Sequence, residues 1–365
     1  MVLTPSFPPR GFRRRHMLFV ALAAAGAALP GGAPSQETKP AEPAERHWPM
    51  SDVPGSNPII RDRFTADVAP LTVGNRLYLF AGHDEAKGRQ GYTMNEWVAY
   101  STTDMKHWRD HGVIMRPSQF RWAAGEAWAA QMVQKNGKFY FYVTVEHDRT
   151  HPGKAIGVAV GDTPLGPFRD ARGSALIQDN KATWRQWSDI DPTVFTDDDG
   201  TSWLAWGNSN FFIAKLKPNM IELDGEPREV KIPYFVEGPW LHKRNGLYYL
   251  TYASIDEPAQ RNERISYATA TSIQGPWTYR GELTGEATNS FTIHAGIEKF
   301  RGNWYFFYHD GTLKRDEQGN QFRRAASVEH LLYNPDGTIR PIVQTREGVS
   351  IPPSKRGTPT VSTGR

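Results

Sequence analysis

Three carboxylates occupy matching places in a phrase that the chain repeats. The phrase is a turn followed by an aromatic strand, and it occurs five times, at residues 75–80, 137–142, 200–206, 246–252 and 302–308. Counting back 11 or 12 residues from its central aromatic (Tyr78, Tyr140, Trp203, Tyr249 and Tyr305) lands on Asp67, Trp128, Asp191, Glu237 and His294. A single acid at a strand end reads as a residue satisfied in a turn. Three acids in five equivalent places read as a site, because unpaired carboxylates beside apolar strands such as Pro192-Thr193-Val194-Phe195 are costly. The chain has no cysteine, hence no thiol nucleophile or thiolate ligand. Carboxylates gathered at a funnel then suit cleavage of a glycosidic bond, in which one acid protonates the leaving oxygen while another activates water. A third, ionised beside the acid, would hold it protonated by like-charge repulsion.

The elements that must bring these residues together are set by the repeat itself. The five aromatic anchors stand 62, 63, 46 and 56 residues apart. A second phrase follows three of them and ends on Trp108, Phe168 and Trp277, which lie 30, 28 and 28 residues after their anchors. Short aromatic and β-branched strands at this period, with Gly, Asp and Asn turns and no long helical pattern, predict an all-β fold: a five-bladed β-propeller with a central funnel. A β-sandwich would account for the strands but not for the register of the two phrases. The propeller is expected to occupy residues 57–352 as one domain.

Composition narrows the setting. The 365 residues are 39% apolar, 12% aromatic and 22% charged, which excludes a disordered chain and a disulfide scaffold. The formal net charge of +4 is accounted for by Arg10, Arg13, Arg14 and Arg15, so the remainder is balanced and gives no reason to expect nucleic acid or an anionic membrane as partner. Arg13-Arg14-Arg15 precedes an unbroken small and apolar run at 17–29, too short to span a bilayer and suited to the core of a signal peptide. Residues 1–33 are therefore expected to be a signal peptide, 34–56 a Pro/Glu/Ala-rich linker and 353–365 a flexible tail. The mature protein is expected to be exported, periplasmic or extracellular. The sequence has no GxGxxG, GK[ST], HExxH or GxSxG motif.

At Ala66-Asp67, Asp191-Pro192 and Glu237-Gly238-Pro239 the sequence resembles glycoside hydrolase family 43, the five-bladed propeller arabinofuranosidases and xylosidases. Agreement extends to Thr65-Ala66-Asp67, Gly82-His83-Asp84-Glu85-Ala86, Asn289-Ser290-Phe291-Thr292 and Phe306-Phe307-Tyr308-His309, most like the branch with arabinoxylan arabinofuranohydrolases. Two places depart from the family pattern: Val68 stands where a proline usually follows the first acid, and Ile293-His294-Ala295-Gly296 replaces the commoner Asn-His-Pro-Gly. The resemblance implies that Asp67 is the general base, Asp191 the pKa modulator and orienter, and Glu237 the general acid. It also implies that Arg324 faces the substrate and that His294 contacts a structural calcium ion in the channel or its waters; no other cofactor is required. Trp128 is a candidate to stack on a sugar, and His83 to border the pocket. The expected activity is removal of α-L-arabinofuranosyl groups from arabinoxylan or related plant cell-wall oligosaccharides by inversion. β-Xylosidase is the nearest alternative. A non-catalytic sugar-binding propeller is the alternative of another class, but a lectin is expected to repeat one binding chemistry, and here the five positions read Asp, Trp, Asp, Glu and His.

Overall fold

The aromatic phrases are apolar on both sides of the strand, so each strand must be covered on both faces. In the computed structural model this is achieved by five antiparallel sheets wedged side by side around an axis. The structure describes residues 51–87, 90–178, 187–257, 260, 262–313 and 321–353. The expected signal peptide (1–33), residues 34–50 of the expected linker (34–56) and all but the first residue of the tail (353–365) lie outside them.

Blade I is formed by Thr65–Val73, Arg76–Asp84, Met94–Thr102 and Arg109–Met115. Blade II is built on Ala130–Lys135, Lys138–His147 and Lys154–Gly161, with the short strands Ala123–Gly125, Arg169–Asp170 and Ile177–Gln178 at its margins. Blade III comprises Thr193–Thr196, Ser202–Trp206, Phe211–Leu216 and Arg228–Val230. Blade IV comprises Phe235–Arg244, Leu247–Ser254, Arg264–Ala270 and Thr278–Thr284, and blade V Gly296–Phe300, Asn303–Asp310 and Ala325–Leu331. All five aromatic anchors fall in the second strand of their blade. The second phrase forms the connection from third to fourth strand, as its constant offset requires.

The core is five interblade layers. Strand alternation sends Phe141 toward blade I and Tyr142 toward blade III, and Phe306 toward blade IV and Phe307 toward blade I. Each second strand thus supplies two layers at once. This is why these strands read as continuous aromatic runs.

Blade V has three strands of its own, and the segment before blade I covers its outer edge. Ile59 donates its backbone N–H to Ala326 O (2.8 Å), and Val328 N–H donates to Asn57 Oδ1 (2.9 Å). Asn57 Nδ2 in turn lies within hydrogen-bond distance of Thr345 O (2.9 Å), Val328 O (3.1 Å) and Glu329 Oε1 (3.1 Å). One buried amide therefore ties the first segment of the ring to its last blade. Asn57→Ala should lower stability by about 2–3 kcal/mol, the cost of leaving buried partners unpaired. A shift of the urea midpoint at constant m-value checks this; an unchanged midpoint would mean that closure does not rest on this residue.

Candidate active site

Where the first strands reach the axis the backbone leaves the β region. Asp67 (φ 53°) and Asp191 (φ 60°) adopt left-handed conformations, which a short polar side chain tolerates better than most. In blade IV the same turn is made by Gly238 (φ 57°), the residue after Glu237, and a Cβ there would lie 2.8 Å from the His294 ring. Pairing slips at these points, between Ala66 and Ala69 and between Glu237 and Trp240. Such bulges re-aim a side chain that regular alternation would direct elsewhere.

The result is a group of three carboxylates around one imidazole. His294 Nδ1 is 3.2 Å from Asp67 Oδ1, and Nε2 is 3.0 Å from Glu237 Oε1 and 3.8 Å from Asp191 Oδ2. Asn208 Nδ2 donates to Glu237 Oε2 (2.7 Å). Asp191 accepts the Gly238 backbone N–H (2.9 Å), and its own N–H donates to Thr144 Oγ1 (2.9 Å), so it holds the turn that presents Glu237. Above this group lies a cavity of about 280 Å³ lined in part by Tyr92, Trp128, Trp187, Phe291 and Glu263; below it the channel narrows to about 30 Å³. Asp67, Asp191 and His294 border both spaces and form the floor between them.

The charges follow from this crowding. Burial opposes ionisation of His294, but Asp67, Asp191 and Glu237 outweigh it and push its pKa up to about 10. Burial pushes Asp191 up to about 8, the His294 charge working against the rise and the neighbouring Glu237 and Asp67 adding to it. Burial thus works against the charge of Asp191, and its bond to the Gly238 N–H gives it the orienting work. Glu263 at the cavity wall is raised well above the carboxylate range by burial and then by Glu237.

A raised folded-state pKa contributes stability below the unfolded value that is lost as pH climbs through the folded one. For Asp191 that window runs from 3.8 to about 8. Asp191→Asn should therefore melt increasingly higher relative to the parent as pH rises from about 5 to about 8, by several degrees across the range. A melting difference independent of pH would contradict the assignment.

The remaining expected residues divide. Trp128 lines the cavity, with Trp187 at 5.0 Å between ring centroids. Arg324 also borders the cavity, but its five N–H groups are directed at protein atoms: Nε and Nη2 at Asp84 (2.9 and 3.0 Å), Nη1 at Asp67 (3.2 Å) and Thr292 (3.1 Å), and Nη2 also at Met94 Sδ (3.8 Å). It is a support for Asp67 rather than a free donor for substrate. His83 does not border the cavity; its Nδ1 pairs with Glu96 (3.0 Å).

The expected calcium contact falls on His294, which borders the narrower space and, with Asp191 and Glu237, offers ligand atoms within 4.8 Å of one another. Both its ring nitrogens face carboxylates, Asp67 on one side and Glu237 on the other, and the oxygens of that group rather than the single imidazole are the donor type calcium favours.

Tyr92, Trp187, Asn208, Glu263 and His309 were not anticipated as site residues, and Asp84 only as a neighbour of His83 in the run that was expected to border the pocket. Asp84 and His309 carry a usable signal: both sit at the end of a second strand, at the same end of the blades as the site.

Residues 56–339 match the family model described as glycosyl hydrolases family 43. An arabinoxylan arabinofuranohydrolase of Bacillus subtilis is 29% identical over 345 residues, 81% of this chain, which in turn spans 65% of that relative's length. A xylosidase/arabinosidase of Bacteroides ovatus is 29% identical over 76% of this chain and 94% of its own. Among solved structures, an α-L-arabinofuranosidase from Clostridium thermocellum shares 33% identity with a TM-score of 0.64, covering 79% of this chain and 97% of that one. A family 43 β-xylosidase/α-arabinofuranosidase from a compost metagenome shares 27% identity with a TM-score of 0.69 over the same shares. The family match spans all five blades and the whole carboxylate floor, and the chain belongs to glycosyl hydrolases family 43, a family of glycosidases.

Proposed function

We propose that the protein is an inverting exo-glycosidase that removes terminal α-L-arabinofuranosyl groups from arabinoxylan or its oligosaccharides. The observation that carries this reading is the placement of Asp67 and Glu237 on opposite nitrogens of His294, on the wall of a cavity of about 280 Å³.

In this reading Asp67 takes a proton from water as its oxygen bonds to the anomeric carbon. Glu237 gives its proton to the glycosidic oxygen as the bond to that oxygen breaks. Both acids then return to their starting forms by exchange with solvent. Asp67 lies against two cations, Arg324 and the His294 imidazolium, which compensate the buried charge of a base. Asp191 anchors the Gly238 turn, and Trp128 and Trp187 offer apolar faces to the sugar ring.

The arabinofuranosyl preference is supported by the relatives named as arabinoxylan arabinofuranohydrolases. β-Xylosidase is the second reading, favoured by relatives whose names carry both pentoses. Release of nitrophenol from α-L-arabinofuranoside and β-D-xyloside, together with arabinose release from intact arabinoxylan, separates the two. The first reading predicts faster arabinofuranoside cleavage and free arabinose from polymer; xyloside preference with no arabinose release would replace it by the second. Export is part of the proposal and rests on the run at 17–29. Amino-terminal sequencing of natively produced protein should find a start near residues 29–34, and an intact Met1 would contradict export.

A further inference from the structure

Beneath the base, and not in contact with the acid, lies a second imidazole. His309, near the end of the strand Asn303–Asp310, is completely buried. Its Nδ1 is 3.1 Å from the backbone nitrogen of Asp67 and 3.4 Å from Asp67 Oδ1, and its Nε2 is 3.1 Å from Thr292 Oγ1. A backbone N–H can only donate. Nδ1 must therefore present a lone pair to it, and the ring hydrogen must sit on Nε2, directed at Thr292.

The surroundings exclude the doubly protonated ring. A hydrogen on Nδ1 would oppose the Asp67 N–H, and two cations already flank the site. Arg324 approaches from the strand Ala325–Leu331 side and binds the same Thr292 Oγ1 (3.1 Å), while the His294 ring lies 5.3 Å away between centroids. Burial, then Arg324 and His294, hold the His309 pKa well below its ordinary value.

The geometric consequence falls on Asp67. Its φ of 53° is a conformation that costs energy and persists only where neighbours fix it. The N–H that His309 receives belongs to the residue whose carboxylate the bulge turns toward the axis.

We propose that His309 is a positioning residue for the reaction: as the neutral tautomer with hydrogen on Nε2, it accepts the Asp67 backbone N–H and fixes the turn that aims the Asp67 carboxylate. The proposal rests on the reading of Asp67 as base. It assigns different work to the two ring nitrogens, and that difference is measurable.

Asparagine can place an acceptor near the position of Nδ1, and glutamine a donor near that of Nε2. His309→Asn should therefore keep kcat within a few-fold of the parent. His309→Gln, which retains only the Thr292 side, should lose roughly 100-fold in kcat, as expected for a misplaced reacting group, with KM nearly unchanged. Equal activity of the two variants, or a loss confined to KM, would overturn the proposal.

Nitrogen-15 NMR of the parent protein tests the tautomer without relying on activity or on the folding of a variant, the His309 signal being assigned by its absence from His309→Asn or by selective labelling. An unprotonated Nδ1 with a protonated Nε2 across the neutral range is expected; the opposite tautomer or an imidazolium would overturn the proposal. Failure of the base reading itself would look different, since Asp67→Asn would then stay active while the His309 tautomer remained as stated.

Discussion

Glu237→Gln should fold normally and lose about 10²- to 10⁴-fold in kcat on substrates with poor leaving groups, the range attributed to a positioned general acid. Glutamine keeps the shape of the side chain and an oxygen for Asn208, which donates to Glu237 Oε2 at 2.7 Å. What it lacks is a proton to give. An activated aryl arabinofuranoside, whose leaving group departs as a stable phenolate, needs none, and the variant should retain most of the parental rate on it. The ratio of the two losses is the diagnostic quantity. Equal losses on both substrates would mean that Glu237 serves binding or structure rather than protonation of the leaving oxygen.

Asp67→Asn should behave in the opposite way, with a comparable loss on both substrate types, because activation of water does not depend on the leaving group. A structural effect is expected beside the kinetic one. Asp67 is buried between Arg324 Nη1 (3.2 Å) and His294 Nδ1 (3.2 Å), and removing one partner of a buried ion pair costs about 3–5 kcal/mol. Rates must therefore be compared well below the variant's melting transition. Asp67→Ala should additionally recover activity with azide, a small anion able to occupy the place of the activated water and to displace the leaving group itself. Asp67→Asn retaining parental kcat on either substrate would remove Asp67 from the mechanism.

The propeller and the carboxylate floor were legible because both follow from one geometric repeat. Second strands covered on both faces must be apolar at every position, and the channel residue precedes each by nearly constant arc length. What the repeat does not encode is which of two neighbours on a strand turns inward. His83 and Asp84 are adjacent on Arg76–Asp84, and alternation takes Asp84 to Arg324 and His83 to Glu96. The role of Arg324 was hidden for a related reason: Asp84, its main partner, lies 240 residues away, so no local pattern reveals that its donors are occupied. His294 was placed correctly on the axis, but its chemistry depends on the carboxylates that three other blades bring to it. Trp187, Asn208 and Glu263 come from connections outside the repeated phrases, where register offers no guide.

The central claim is that Asp67 activates water instead of attacking the sugar. The two carboxylates of an inverting enzyme stand roughly 6.5–9.5 Å apart, against about 5–5.5 Å for a covalent mechanism. Here one imidazole and two hydrogen bonds separate Asp67 Oδ1 from Glu237 Oε1. Proton NMR of the first product, recorded within minutes of mixing enzyme with an aryl α-L-arabinofuranoside, tests this most directly. The account predicts β-L-arabinofuranose as the initial anomer and no methyl glycoside in added methanol. Initial release of the α-anomer, or transfer of the sugar to methanol, would contradict it.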